Sequence, residues 1–356
     1  MIAVVGSHCL LATDFFNLFH NPLFMLSAGI FHSQTGCETL RDFFSFFSKK
    51  IQKVYIPFVA VTMFLTLFQP IFSYIRWDVN APYALKEMAI KLLSVLFMRV
   101  EYLNGPCWFL IAYLEISVFF EIIRSLLILF QKKTIKRDIP VITGLILFSI
   151  SILFFVIGQK YNFPRCMDEA AVLFLWYTIG FLFFRSVQKL REKESFFSSR
   201  STIIMLIASV ISISGLFWIS SYIGASYAWK KGENLLLIAM FSLAGMFCCW
   251  LLSQVLERTI FSKYFCYVGK NSFTIMTWHI VGFKILSSIL IILPVFSIDE
   301  LFGYVPRLPN IYWKCLYLVF GIFVPCILAY IWKPSSDFII NKLKKRFFKN
   351  ENLTHS

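Results

Sequence analysis

Long apolar runs separated by short polar or charged stretches dominate the chain. They fall at 16–32, 54–75, 107–130, 139–158, 170–185, 201–221, 235–256, 271–293 and 312–332. A helix needs about 20 apolar residues to cross the hydrocarbon core of a bilayer, so these runs predict nine transmembrane helices. The shortest, 170–185, is unbroken from Ala170 to Phe184 and bounded by Asp168, Glu169 and Arg185. Residues 88–98 are too short to span. With Lys86, Glu87 and Lys91 beside or among them, they predict an amphipathic helix that lies at the interface or re-enters the bilayer. Met1–Ala12 is apolar but only about half a span long, and it lacks the basic start of a signal peptide. It reads as the outward half of a first helix, which predicts a misplaced start or a truncated protein, with ten spans in a complete version. The fold class is an all-α polytopic membrane protein.

Composition agrees. The 356 residues are 58% hydrophobic and 15% charged, whereas soluble domains carry about 25% charged residues. Nine scattered Cys make no disulfide framework. The net charge of +15, from 34 Lys and Arg against 19 Asp and Glu, would suggest nucleic acid in a soluble chain. Here its placement is more telling. If the loop 33–53 is cytoplasmic, the inside segments 33–53, 131–138, 185–200, 257–270 and 333–356 hold 22 Lys and Arg. The outside segments 76–106, 159–169, 222–234 and 294–311 hold 9. Cytoplasmic loops collect positive charge, so this asymmetry predicts a cytoplasmic C-terminus and explains the charge without nucleic acid. The basic tail 342–356 is expected to rest on anionic lipid. No repeat of fixed period appears, and 1–356 reads as one membrane domain.

Ionisable groups inside a bilayer are costly and usually functional. Four of the five His, namely His8, His20, His32 and His279, lie in or next to apolar runs. No His-x-x-x-His or Cys-x-x-Cys pair accompanies them, so no metal is expected. His8 is either a packing histidine bonded to a backbone carbonyl or a general base in a polar pocket. His20 either caps the start of its helix or faces the same pocket. Lys284, five residues beyond His279, must find a carboxylate, carbonyls or water. It is expected to line an aqueous cavity and to pair with Glu115 or Glu121. Arg124, near the end of its run, is expected to snorkel. Trp108 sits at an interface, as an aromatic belt residue or a wall for sugar stacking.

The order of the short motifs adds to this. His8 is followed by FHNPLFMLSAGIF at 19–31, with His20, Pro22 and Ser27, and then by Tyr55-Ile56-Pro57. Trp108-Phe109-Leu110 and Gly269-Lys270-Asn271-Ser272 follow, the latter leading to His279. This succession resembles the acyltransferase 3 family of integral-membrane O-acyltransferases, and within it the fucose O-acetylase-like enzymes that decorate bacterial polysaccharides. The resemblance covers essentially the whole chain. It departs at Ala28, where the family commonly has Gly. It also lacks the Arg that members carry eleven residues before the first-helix His, because the chain begins too late to contain it.

The resemblance implies that His8 is the catalytic histidine. It would deprotonate a sugar hydroxyl that attacks an acyl thioester, with a covalent acyl-His route left open. His20, Ser27, Trp108, Glu115, His279 and Lys284 are the candidate substrate and donor pocket. The implied co-substrate is acetyl-CoA or another acyl-CoA, with no bound cofactor. The implied acceptor is a glycan or lipid-linked sugar, and the implied location is the bacterial inner membrane, in contact with its lipids. Two other readings compete: a transporter or flippase of a lipid-linked sugar, and an inactive truncated acyltransferase. A transporter would be marked by inverted repeats, which are not visible here.

Overall fold

The computed structural model describes residues 1–33, 36–135, 140–192, 199–223, 235–305 and 310–348. Among them every regular element is helical. The order is α1 (Ile2–His8), α2 (Thr13–Asn17), α3 (His20–Ile30), α4 (Leu40–Lys50), α5 (Ile56–Tyr74), α6 (Leu85–Leu96) and α7 (Trp108–Ile135). Then come α8 (Pro140–Lys160), α9 (Met167–Glu192), α10 (Ser199–Ile223), α11 (Leu235–Leu256), α12 (Ser262–Lys270), α13 (Ser272–Ile292) and α14 (Ile311–Phe348).

Among the described residues six helical segments are long and apolar enough to cross a membrane: Leu40–Tyr74, Val141–Lys160, Pro164–Phe183, Ala239–Leu256, Ser272–Ile292 and Ile311–Ile331. The first joins α4 to α5 through a π-helical stretch, Ile51–Tyr55. The other three expected crossings differ for distinct reasons. The run 16–32 is broken between Asn17 and His20, leaving α3 with 11 residues, about 16 Å of rise. α7 is long enough at 28 residues but carries Glu115, Glu121 and Arg124 within its apolar stretch. The described apolar part of α10, Leu206–Ser221, falls short of a full crossing. The expected short helix near 88–98 is α6, of which Val95 alone is buried. Of the expected basic tail, residues 349–356 lie outside the described residues.

The helices form two packed bodies. One is built on α3, α7, α8 and α9, around Met25, Phe120, Val172 and Trp176. Small residues allow its closest approach. A Cβ on Gly29 would sit 2.0 Å from the Tyr177 carbonyl oxygen, and one on Gly180 would sit 2.0 Å from that of Leu26. The α3 and α9 backbones therefore touch where only glycine fits, as small residues permit between membrane helices. The second body joins α1, α13 and α14 around Val5, Ile280, Phe283 and Tyr317. Gly321 admits both Phe283 and Val5, its Cβ position lying 2.4 and 2.7 Å from them. The segment from α1 to α3 bridges the two bodies.

Candidate functional site

The reversal between α1 and α3 creates the site. Leu10 and Ala12 adopt left-handed backbone, with φ of 60° and 51°, and turn the chain immediately after His8. The Thr13 hydroxyl donates to the Ser7 carbonyl at 3.1 Å, and Gly6 leaves room for the Phe16 ring, which a Cβ would meet at 2.7 Å. From α11, the Ser242 hydroxyl donates to the Leu18 carbonyl at 2.8 Å. That bond satisfies a backbone group where the helix is interrupted, which a buried break requires. His8 at the end of α1 and His20 at the start of α3 consequently face one space.

That space is a cavity of about 260 Å³. Its polar lining is Ser7, His8, Thr13, Asn17, His20 and Asn21, and Trp108 and Phe109 form an aromatic wall beside Pro106. Among the described residues no charged side chain lines it. The wall is held by a polar brace behind it. Asn104 donates through its amide to Thr62 Oγ1 at 2.8 Å and accepts from the Glu101 backbone N–H at 2.8 Å. The Glu101 carboxylate accepts from Thr66 at 3.2 Å and from the Tyr83 hydroxyl at 2.9 Å. This brace fixes the short helical turn Tyr102–Cys107 and with it the start of α7.

His279 stands behind His8, the two ring centroids 5.2 Å apart with the planes inclined at 38°. It is fully buried. Its Nδ1 lies 2.9 Å from the Ile275 carbonyl and 3.0 Å from that of Met276, so Nδ1 carries the proton and donates. Its Nε2 is buried without a hydrogen-bond partner. His20 Nδ1 donates in the same manner to the Phe16 carbonyl at 2.8 Å, which leaves its Nε2 as an acceptor in the neutral ring.

The candidates therefore divide. His8, His20 and Trp108 line the cavity and His279 packs against His8. Ser27, Glu115 and Lys284 are not in its lining. The Ser27 hydroxyl turns back to the Leu23 carbonyl at 2.8 Å. Glu115 buries one carboxylate oxygen without a hydrogen-bond partner. Lys284 does not pair with Glu115 or Glu121. Its ammonium donates to the Leu301 carbonyl and, at 2.7 Å, to that of Gly303, and sits 5.5 Å from the Tyr102 ring centroid. It thus ties α13 to the short turn Ile298–Phe302. Carbonyl oxygens satisfy the buried ammonium as a carboxylate would.

Glu121 belongs to a second buried cluster, at the far end of α3. Its carboxylate receives His32 Nε2 at 2.8 Å, the Cys37 N–H at 2.8 Å, the Ser125 hydroxyl at 3.2 Å and Arg124 at 3.4 Å. His32 Nδ1 lies 2.7 Å from the Tyr177 hydroxyl. Arg124 does not snorkel. It is buried, donates to the Ser33 carbonyl at 2.7 Å and packs 4.7 Å from the Phe181 ring centroid. The sequence carried a signal for this cluster in two opposite charges one turn apart inside an apolar run. Among the described residues no three His, Cys, Asp or Glu side chains are arranged to hold a metal ion.

Residues 1–330 match the family model described as an acyltransferase domain. No curated protein and no solved structure matches the chain.

Proposed function

We propose what this site does from one premise: the chain belongs to the acyltransferase 3 family and is a multi-pass membrane acyltransferase. The reaction is O-acyl transfer, with acetyl-CoA as donor and a hydroxyl of a cell-envelope or exported polysaccharide as acceptor. His8 is the general base. The hydroxyl oxygen attacks the thioester carbonyl carbon while its proton passes to the free ring nitrogen of His8. The carbon–sulfur bond then breaks and the thiolate takes the proton back, so that an ester and a free thiol leave and His8 is restored.

The observation that carries this reading is the position of His8 in a polar cavity that, among the described residues, no charged side chain lines. An uncharged lining suits a neutral hydroxylated acceptor. Asn17, Asn21, Thr13 and Ser7 can exchange hydrogen bonds with hydroxyls, and the face of Trp108 suits a sugar ring. The loop charges supplement this with an inner-membrane orientation in which the basic segments and the C-terminus meet cytoplasmic coenzyme A, in a bundle of up to ten spans.

The test is mass spectrometry of the surface glycan from a strain lacking this gene, complemented with the chain or with His8→Ala. An acetyl-sized mass is expected with the first and not with the second at equal protein level. Glycan that falls in amount with unchanged acylation would instead support transport.

A further inference from the structure

We infer that His279 is a positioning residue for His8: its bare Nε2 accepts the N–H of the His8 ring and thereby fixes which His8 nitrogen faces the cavity as the base. This inference rests on the role proposed for His8 and deepens it.

The geometry is restrictive. Nδ1 of His279 is committed to two backbone carbonyls of its own helix. These can only accept, so the ring is held as one tautomer with its lone pair on Nε2. That lone pair is buried without a partner, in a side chain with no exposed surface. A buried acceptor left unsatisfied is costly, and the neighbouring polar ring is His8. In an imidazole each nitrogen lies about 1.1 Å from the ring centre by standard bond lengths. Centroids 5.2 Å apart thus allow two facing nitrogens to approach to about 3 Å, a hydrogen-bond distance. The contact requires the His8 ring to turn an N–H toward that nitrogen.

The chemistry follows. His8 has two nitrogens, and a base needs its lone pair on the one that faces the hydroxyl. When the far N–H is donated to His279, the near nitrogen is left bare. After proton transfer the His8 imidazolium still donates to the same acceptor, which shares its positive charge. A carboxylate often serves this purpose, but among the described residues none lines the cavity. His279 supplies a neutral acceptor instead. No bond forms or breaks at His279, and it takes no proton from the substrate.

The test compares His279→Phe, which keeps a ring and loses the acceptor, with His279→Gln, whose amide oxygen restores one. Each full-length chain is placed in lipid nanodiscs. Thiol release from acetyl-CoA is followed with polysaccharide from the deletion strain as acceptor. His279→Phe is expected to lower kcat about 100-fold with the acceptor KM within about twofold, and His279→Gln to recover much of that loss. The double variant with His8→Ala should be no slower than His8→Ala alone, because His279 acts only through His8.

Carbethoxylation of His8 by diethylpyrocarbonate, read by peptide mass, reports the lone pair without needing transfer at all. It should slow several-fold in His279→Phe and not in His279→Gln. If His279→Phe does not fold, the Gln variant decides, and activity as low as that of His8→Ala overturns the inference. A rise in KM at unchanged kcat, or unchanged His8 carbethoxylation in His279→Phe, overturns it as well. Unimpaired transfer by His8→Ala would instead remove the premise that His8 is the base.

Discussion

α3 carries a buried histidine at each end, and the two ends are finished differently. At its start His20 shares a cavity with His8, and the nearby His279 keeps one ring nitrogen without a partner. Two residues past its end, His32 has both ring nitrogens engaged, by Tyr177 and Glu121, in a cluster that Arg124, Ser125 and Cys37 complete. The first region spends hydrogen-bonding capacity on an open space, and the second spends it on itself. Fully satisfied buried networks rigidify a core, whereas an incomplete one is costly unless function uses it. The polar groups at the start of α3 face a space that a substrate can enter, whereas those beyond its end bond one another.

If that distinction is correct, substitutions at the two ends should fail in different ways. His8→Ala should reduce transfer by 10³-fold or more, given the usual size of general-base catalysis combined with loss of orientation. Its thermal unfolding in nanodiscs should be unchanged. Glu121→Ala should act in the opposite sense. Removing the carboxylate takes the buried charge partner from Arg124 and one hydrogen-bond partner from His32, at a cost of about 3–5 kcal/mol. Thermal unfolding should report this as a large fall in stability, while transfer per folded molecule stays near normal. Glu121→Gln keeps the shape and should lose less.

Gly180→Ala tests the scaffold that holds the two ends apart. The new Cβ would overlap the Leu26 carbonyl, so the α3 and α9 backbones must separate, at about 1–3 kcal/mol. Lower thermal stability with little change in the acceptor KM is the expected result. The smallest effect is expected at the reversal after His8. Ala12 has φ of 51° and ψ of 46°, a conformation natural to glycine. Ala12→Gly should therefore raise stability by roughly 0.5–1 kcal/mol, measurable as a higher unfolding temperature with transfer retained.

How far the sequence foretold this depends on what each feature leaves in the residue string. The helices centred on 54–75, 139–158, 271–293 and 312–332 were legible because length and apolarity suffice to define them. The break after Asn17 was not, because hydropathy averages over 16–32 and is blind to φ. The polar residues Asp14, Asn17, His20 and Asn21 around the break were its only trace. The meeting of His8 with His20 was implied by the short loop between them and by the family resemblance. The contact of His279 with His8 links α13 to α1 across most of the chain, and no local pattern encodes it. Lys284 illustrates the remaining gap. The need for a partner was readable from its depth in an apolar run, but the partners are the carbonyls of Leu301 and Gly303, and a carbonyl has no residue-specific signature. Glu121 and Arg124 were visible as polar positions on α7. Their partner His32 was noted among the histidines without its role, since only the tertiary fold brings α3 and α7 together.

The most direct measurement sets the two histidine regions against each other in one preparation. Chains carrying His8→Ala or His32→Ala, beside the unsubstituted chain, would be reconstituted at equal amounts and assayed for labelled acetyl transfer from acetyl-CoA to the glycan. The activity would be divided by the folded fraction. His8→Ala is expected to be fully folded and inactive, and His32→Ala to be poorly folded but active in each folded molecule. A folded, inactive His32→Ala beside an active His8→Ala would contradict this and move the chemistry to the other end of α3.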